Sequence, residues 1–469
     1  MSVRAPLAGL SALALLAGCA GPLEPLYHRP SSPVPAAFPD GPAYRPQAPD
    51  ASPLTWRQAF PGRKLQSVIT LALDQSRDLR VAAAQVETAR AQFQTQRAAL
   101  LPKISAGGQA LYAREYLGLP ASVGPPDFNL TEYAVSLGAS NYELDLFGRV
   151  RSLTRAAFYQ YLASQSGRRE AELTLISTTA SDWLTLASDK SLLQVSQDTL
   201  NSGQKSLDLA KARLDGGVGT ALDVANARTV VEQAKADIAR YTTQVAQDIN
   251  ALNLEVGASV PADLLPSGLD DPDAALPRTP GALDSRVLLA RPDVVQAEDQ
   301  LRAAKADIGA ARAAFFPSIS LTGAGGFTSA TLASLFAPGT AVWSFAPSVS
   351  LPIFSGGANL AGLRNAKAQD RIAVAQYEKS VQTAFRETAD ALAAQGLMSQ
   401  RVSAQQGLVD AAAESLRLST ALYERGQNTY LDVLTAQRTL YSAQQSLLTT
   451  RLLAANTVVS LYQVLGGAL

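Results

Sequence analysis

The sequence predicts a mainly α-helical chain made of two similar halves, each contributing a long antiparallel α-hairpin and two short strands. Three observations predict it. First, DLRVAAAQVETARAQFQTQRAALLPKIS from Asp78 aligns with DVVQAEDQLRAAKADIGAARAAFFPSIS from Asp293 at an offset of 293 − 78 = 215. Asp78/Asp293, Gln85/Gln300, Arg97/Arg312, Pro102/Pro317, Ile104/Ile319 and Ser105/Ser320 are identical pairs, which alanine richness alone does not produce. Second, no convincing breaker occurs between Phe147 and Gly216-Gly217, or between Gly357 and Gly426. Each stretch offers roughly 65 residues of helix, about 100 Å at 1.5 Å per residue, which is coiled-coil scale. Third, VWSFAPSVSLPIF alternates. Trp343, Phe345, Pro347, Val349, Leu351 and Ile353 fall on one face, Ser344, Ala346, Ser348 and Ser350 on the other.

Residues 1–18 carry Arg4 and the apolar run APLAGLSALALLAG, too short to span a bilayer and patterned as a signal peptide. The run ends in Leu16-Ala17-Gly18-Cys19, which resembles the lipobox of bacterial lipoproteins. That resemblance implies cleavage before Cys19, acylation of its thiol and, with Ala20 next, sorting to the outer membrane. Residues 19–62 are then a lipidated, Pro-rich N-terminal segment.

The first repeat, 63–257, begins with a helix whose face holds Val81, Ala84, Val86, Ala89, Phe93, Arg97 and Leu100, and Pro102 ends it. Two strands follow, in KISAGGQALY and YAVSLGASNYELDLF, before the long helix. Gly167 and Gly203 in this arm, and Gly362, Gly396 and Gly407 in the other, are expected to bend the helices without ending them. The connection 258–290 is rich in Pro and Asp, loop-like and wrapped outside the helices. The second repeat, 291–469, restates the order, with SISLTGAGGF pairing the strand around Trp343. At about ten residues each, the strands match tilted strands of a membrane barrel with one face to lipid and one to water. By pattern alone a soluble two-sheet sandwich also fits.

Forty basic against forty acidic residues give zero formal charge, so there is no electrostatic footprint for nucleic acid. One cysteine, Cys19, and one histidine, His28, leave no disulfide framework and no His/Cys metal cluster. His28 falls in a Pro-rich loop and is expected to be solvated. No nucleophile elbow, Walker-type loop or HExxH phrase occurs, so neither an enzyme nor a cofactor is indicated, apart from covalent lipid on Cys19.

One phrase is written twice: GTALDVANAR, Gly219–Arg228, and NTYLDVLTAQR, Asn428–Arg438, with Leu-Asp-Val offset by 432 − 223 = 209. Each opens the returning arm of a hairpin. Thr220 and Thr429 stand at the N-cap with Asp223 and Asp432 three residues on, the spacing of a capping box whose carboxylate faces the positive helix end.

These features together resemble the outer-membrane efflux protein family, the TolC-like ducts, in its lipoprotein branch serving RND-type pumps. The carriers are CAGPLEPLYHRP, YELDLFGRVR, RPDVVQAEDQLRAAKADIGAARAAFFPSISLTG, SLPIFSGG, YERGQNTYLDVLTAQR and LYQVLGG, in the family's order. The resemblance implies a homotrimer in the outer membrane. Each protomer gives four strands to a 12-stranded barrel and its hairpins to a periplasmic coiled-coil tube. It also implies that the tips dock a periplasmic adaptor and that Leu431, Asp432, Thr435 and Arg438 build a periplasmic gate. Some relatives have a carboxylate at the place of Thr435, so Asp432 is the acidic member here. Trp343, Phe345, Val349, Leu351 and Ile353 are expected to face lipid. The function implied is a passive exit duct for an inner-membrane pump, which sets the cargo. The alternatives are a duct for type I secretion or metal-cation efflux, and an adaptor-like coiled-coil lipoprotein.

Overall fold

The computed structural model describes residues 23–44, 55–116, 127–276 and 284–467. In chain order the helices are α1 (Trp56–Ala59), α2 (Arg63–Gln75), α3 (Arg77–Ala98), α4 (Arg149–Asp215), α5 (Ala221–Val256), α6 (Pro292–Ala313), α7 (Ala358–Gly396), α8 (Met398–Glu424) and α9 (Tyr430–Val464). The strands are β1 (Ile104–Tyr116) and β2 (Asp127–Leu144) between α3 and α4, and β3 (Ser318–Ser329) and β4 (Ala341–Ser350) between α6 and α7. The chain separates into two compact units, one of residues up to Pro30, Gln85–Ser164 and Gln296–Tyr377, the other of Ser31–Ala84, Gln165–Val295 and the chain from Glu378 onward.

The first unit is built on one antiparallel sheet in the order β1-β2-β3-β4. Its register pairs Ile104 with Ala139, Leu137 with Gly325 and Val349 with Ile319. A bulge between Ala139 and Tyr142 interrupts β2, where Asn141 adopts φ 53° and its N–H donates to Thr322 Oγ1 at 3.1 Å. Below the sheet, Ala156, Ala303 and Ala306 are buried together, so the small side chains let α4 and α6 approach closely. The N-terminal segment from Leu23 to Arg29 is strapped to α6. Arg29 and Tyr27 both bond the buried Glu298, at 2.7 and 2.8 Å, and Arg312 donates to the Leu23 carbonyl at 2.9 Å. Gly309 admits this strap, because a Cβ there would lie 3.1 Å from Glu24 Cα.

The second unit has its core around Trp183, Phe60, Leu65, Ile69, Ile176, Leu184, Leu252 and Tyr462. The connection after α5 lies on this core. The Trp183 indole donates to the Leu264 carbonyl at 3.0 Å and Lys190 to that of Pro266 at 2.7 Å. On the long helices glutamine–aspartate pairs one turn apart recur beside ion pairs such as Arg240–Asp237 and Arg417–Glu414. Gln194–Asp198, Gln204–Asp208, Gln233–Asp237, Gln244–Asp248 and Gln406–Asp410 bond at 2.9–3.1 Å. Each adds about 0.2–0.5 kcal/mol to its helix.

Three expectations are corrected. The first helix ends at Ala98, ahead of Pro102, because residues preceding a proline are pushed out of the helical region and the chain turns over Ala99–Leu101. α4 does run unbroken through Gly167 and Gly203, but the equivalent arm is two helices. Leu397, with φ −102° and ψ 4°, separates α7 from α8. The cause is at Gly396, where a side chain would collide with the carbonyl of Ala43, so the N-terminal strap crosses the helix there. Finally β4 stops at Ser350, so Leu351 and Ile353 lie beyond the strand. Ser350 pairs with Ser318, the first residue of β3, so the ladder has no partner strand beyond it.

Candidate functional site

Register decides what each side of the sheet presents. Residues directly opposite in a ladder point to the same face. Trp343, Phe345, Pro347 and Val349 of β4 therefore share a face with Phe327, Leu321 and Ile319 of β3, Val135 and Leu137 of β2, and Ile104 and Ala106 of β1. This face is apolar and open, with Trp343 82% and Val349 68% exposed. The other face collects Ser344, Ser348, Ser318, Ser320, Thr322, Ser136, Ser105 and Gln109. Its hydroxyls bond one another, Ser320 to Ser348 at 2.7 Å, and Thr328 donates to Glu132 at 3.0 Å.

Glycine shows which face is hollow. In the β2–β3 pair, Gly138 and Gly326 belong to the polar face, and a Cβ at either would strike the backbone of the partner strand. Gly323 and Gly325 on the apolar face have only ordinary contacts, at 3.5 and 4.0 Å. Crowding on one side and room on the other mean that these strands coil toward the polar face. At the β2–β3 pair the concave side is polar and the convex side greasy. Tyr112 and Tyr133 sit on the convex face near the first outer hairpin with hydroxyls 2.6 Å apart, as Trp343 does near the second, which gives an aromatic rim. β3 is 12 residues long, about 40 Å along the strand and about 30 Å high when tilted as barrel strands are. Both β1 and β4 are edges with unpaired backbone groups.

In the second unit the two hairpin tips meet. Val433 and Leu434 of α9 are buried against Leu207, Ala227, Val230 and Val231 of the first hairpin, Ala436 and Gln437 are buried too, and Gln437 bonds Ser206 at 2.6 Å. This turns Leu431, Asp432, Thr435 and Arg438 outward together, and all four are exposed. The Asp432 carboxylate accepts from the Thr429 N–H at 3.2 Å and its hydroxyl at 2.6 Å. At the other tip Asp223 accepts the Thr220 N–H and returns its own N–H to the threonine hydroxyl, each at 3.1 Å. Thr435 bonds the Leu431 carbonyl at 2.8 Å. Arg438 does not bond Asp432 within the chain but donates to Thr229 of the first hairpin at 3.0 Å.

Sequence reasoning missed a joint beside this face. The Arg213 guanidinium stacks on Tyr423, 4.6 Å from its centroid, and donates to the Tyr423 carbonyl at 3.1 Å. Tyr430 meets Tyr423 edge-on at 5.4 Å, and burial pushes its hydroxyl up to about 12. The signal was the tyrosine pair flanking the turn in YERGQNTY. Also missed was a carboxyl pair in the stem of the first hairpin. Asp189 of α4 faces the buried Asp248 of α5, and burial, a hydrogen bond and repulsion between the two push Asp189 up to about 7. Cys19 lies outside the described residues. His28 is exposed, and no helix among the described residues is long and apolar enough to cross a membrane.

A coiled sheet with a greasy convex face, a hydroxyl-lined hollow and two open edges, carried on a helix of 67 residues, defines a channel-forming protein of an outer membrane. The comparison with known proteins gives the particular family. The sequence model of the outer membrane efflux proteins matches residues 68–258 and again 283–467, and the chain belongs to that family. It is 43% identical over 459 residues to the toluene efflux pump outer membrane protein TtgC of Pseudomonas putida, covering 97% of this chain and 93% of that one. It is 38% identical to the outer membrane protein OprJ of Pseudomonas aeruginosa, covering 99% and 97%. Among solved structures, the open state of the MtrE outer membrane channel of Neisseria gonorrhoeae superposes with a TM-score of 0.85 at 36% identity, covering 95% and 98%. The protein is the outer-membrane channel component of an efflux system, and its family is one of ducts rather than enzymes.

Proposed function

We propose that three copies of this chain close a 12-stranded barrel, and that the resulting duct receives cargo from an RND-type inner-membrane pump through a periplasmic adaptor seated on the hairpin tips. The carrying observation is the amphipathic sheet with two unpaired edges. In lipid an open edge leaves backbone groups without partners, at several kcal/mol each, and pairing β4 of one copy with β1 of the next removes every edge. Acylation of Cys19 adds an anchor, which the strap from Leu23 to Arg29 ties to α6.

The tips form the gate in this reading. Three copies of the exposed face Leu431, Asp432, Thr435 and Arg438 surround the axis, and three Asp432 carboxylates set a cation preference. The bond from Arg438 to Thr229 and the Arg213–Tyr423 joint hold the second hairpin against the first in each copy. Cargo is set by the pump. The name of TtgC puts organic solvents such as toluene first among cargoes to test.

The experiment is a gel of extracted outer membranes with and without heating, followed by single-channel recording. A heat-sensitive band of three protomers that conducts ions in planar bilayers supports the duct. Monomers that do not conduct, from a correctly localised protein, refute it.

A further inference from the structure

We propose that the second outer hairpin loop, residues 330–340, is a lipid-seated wedge, with Leu332 and Phe336 in the acyl-chain boundary of the outer leaflet and the loop held out of the lumen. The inference rests on the reading that the convex face of the sheet meets lipid.

The loop leans to one side. The Phe336 ring packs edge-on against Phe327, with centroids 5.3 Å apart. Phe327 stands opposite Ala341 and Val135 in the ladders, which places it on the convex face with Trp343, Phe345 and Val349. The loop therefore folds back over the greasy outside of the sheet, not over its hydroxyl-lined hollow.

Its polar groups are used internally. Ser334 bonds Ser329 at 2.5 Å and Thr331 at 2.6 Å, and the Thr340 hydroxyl donates to the carbonyls of Leu335 and Ala337 at 2.8 Å. Leu335 is buried as the loop's own plug. What remains outward is Leu332, 66% exposed, and Phe336, 70% exposed, continuous with the convex face. Large apolar groups left outward in a patch mark a contact surface, and continuity with the lipid face commits the occupant to lipid. The charge pattern agrees. From Ala313 to Leu363 the chain has no Asp, Glu, Lys, Arg or His, so nothing in this loop opposes entry into a low-dielectric layer.

The test uses the full chain with Cys19→Ser, assembled in phosphatidylcholine vesicles, with one nitroxide at Leu332→Cys, Phe336→Cys, Val349→Cys or Ser348→Cys. Collision rates with oxygen, which concentrates in lipid, and with a water-soluble nickel chelate are compared. Labels at Leu332 and Phe336 are expected to match Val349, with an oxygen-to-nickel ratio several-fold above that at Ser348. If Cys19→Ser yields no assembled protein, the same labels go on the chain with its Cys19 acylated. Water-like loop labels beside a lipid-like Val349 label overturn the wedge and leave the barrel orientation standing. A water-like Val349 label overturns both.

Discussion

Phe345→Arg tests the orientation of the sheet where the penalty is greatest. Phe345 is the fifth of ten residues in β4, on the convex face, with its ring beside Gly323 of β3. A guanidinium there lies near the middle of the apolar band. On the lipid face at that depth arginine costs about 2–4 kcal/mol, which lowers the folded-to-unfolded ratio about 30- to 900-fold per protomer. In the proposed trimer, three copies around one barrel bring this to about 6–12 kcal/mol if the sites are independent. Ser344→Arg, one residue away, points into the hollow beside Ala324 and keeps its charge in water, so its cost stays within about 0.5 kcal/mol. Val349→Arg, nearer the base, falls between them. The assay is the fraction of outer-membrane protein migrating as heat-sensitive trimer, checked by urea titration of chains folded into vesicles. Equal yields for Phe345→Arg and Ser344→Arg would refute the membrane strand, and a greater loss for Ser344→Arg would mean that the faces are reversed.

Asp432→Ala removes an acceptor for Thr429 and, if the tips form the proposed gate, a negative ring, so single-channel conductance is expected to rise and cation preference to fall. Asp223→Ala, also a capping residue, should cost only about 0.5–2 kcal/mol of local stability, and an unchanged channel in both variants reduces Asp432 to a cap. Gly396→Ala drives a methyl into the Ala43 carbonyl and should destabilise the assembly by about 1–3 kcal/mol in thermal melting, whereas Gly407→Ala, with open space around it, should not. Asp189, at about 7 when folded against about 3.9 unfolded, binds more protons in the folded hairpin over that interval. Stability from this group is therefore full below about pH 4 and lost as pH rises to about 7, with a slope of at most about 1.4 kcal/mol per unit per protomer, and Asp189→Asn should flatten it in melts of the assembled protein across about pH 4–7. Cys19→Ser should abolish incorporation of labelled acyl chains while assembled trimer stays detectable, and label persisting on the serine variant would remove the lipoprotein assignment.

The parts of this chain that repeat locally were legible before any coordinates. Helix needs only an unbroken run of compatible residues, so α4 and the returning arms could be drawn from Phe147 to Gly216 and from the two Leu-Asp-Val phrases. Capping acts over three residues, so Thr220 with Asp223 and Thr429 with Asp432 were visible as pairs. Period-two alternation revealed the greasy face of β4, though not its end, because the alternation runs on past Ser350 while the partner strand β3 begins only at Ser318.

What the sequence could not decide was everything that depends on residues far apart meeting. The break at Leu397 is caused by Ala43, some 350 residues earlier, crossing at Gly396, and the local sequence of a glycine that bends and one that ends a helix is the same. Arg438 had several possible partners until packing put Thr229 in reach, and Asp189 looked like any solvated carboxylate until α5 laid Asp248 against it. The sign of the sheet's curvature belongs here too. Alternation separates two faces but does not say which is hollow, and that was decided by Gly138 and Gly326, where only a hydrogen atom fits between coiled neighbouring strands. Sequence by itself determined the elements, because their causes are short-range. Tertiary structure alone decided what they enclose, because curvature, crossing and pairing are properties of surfaces brought together.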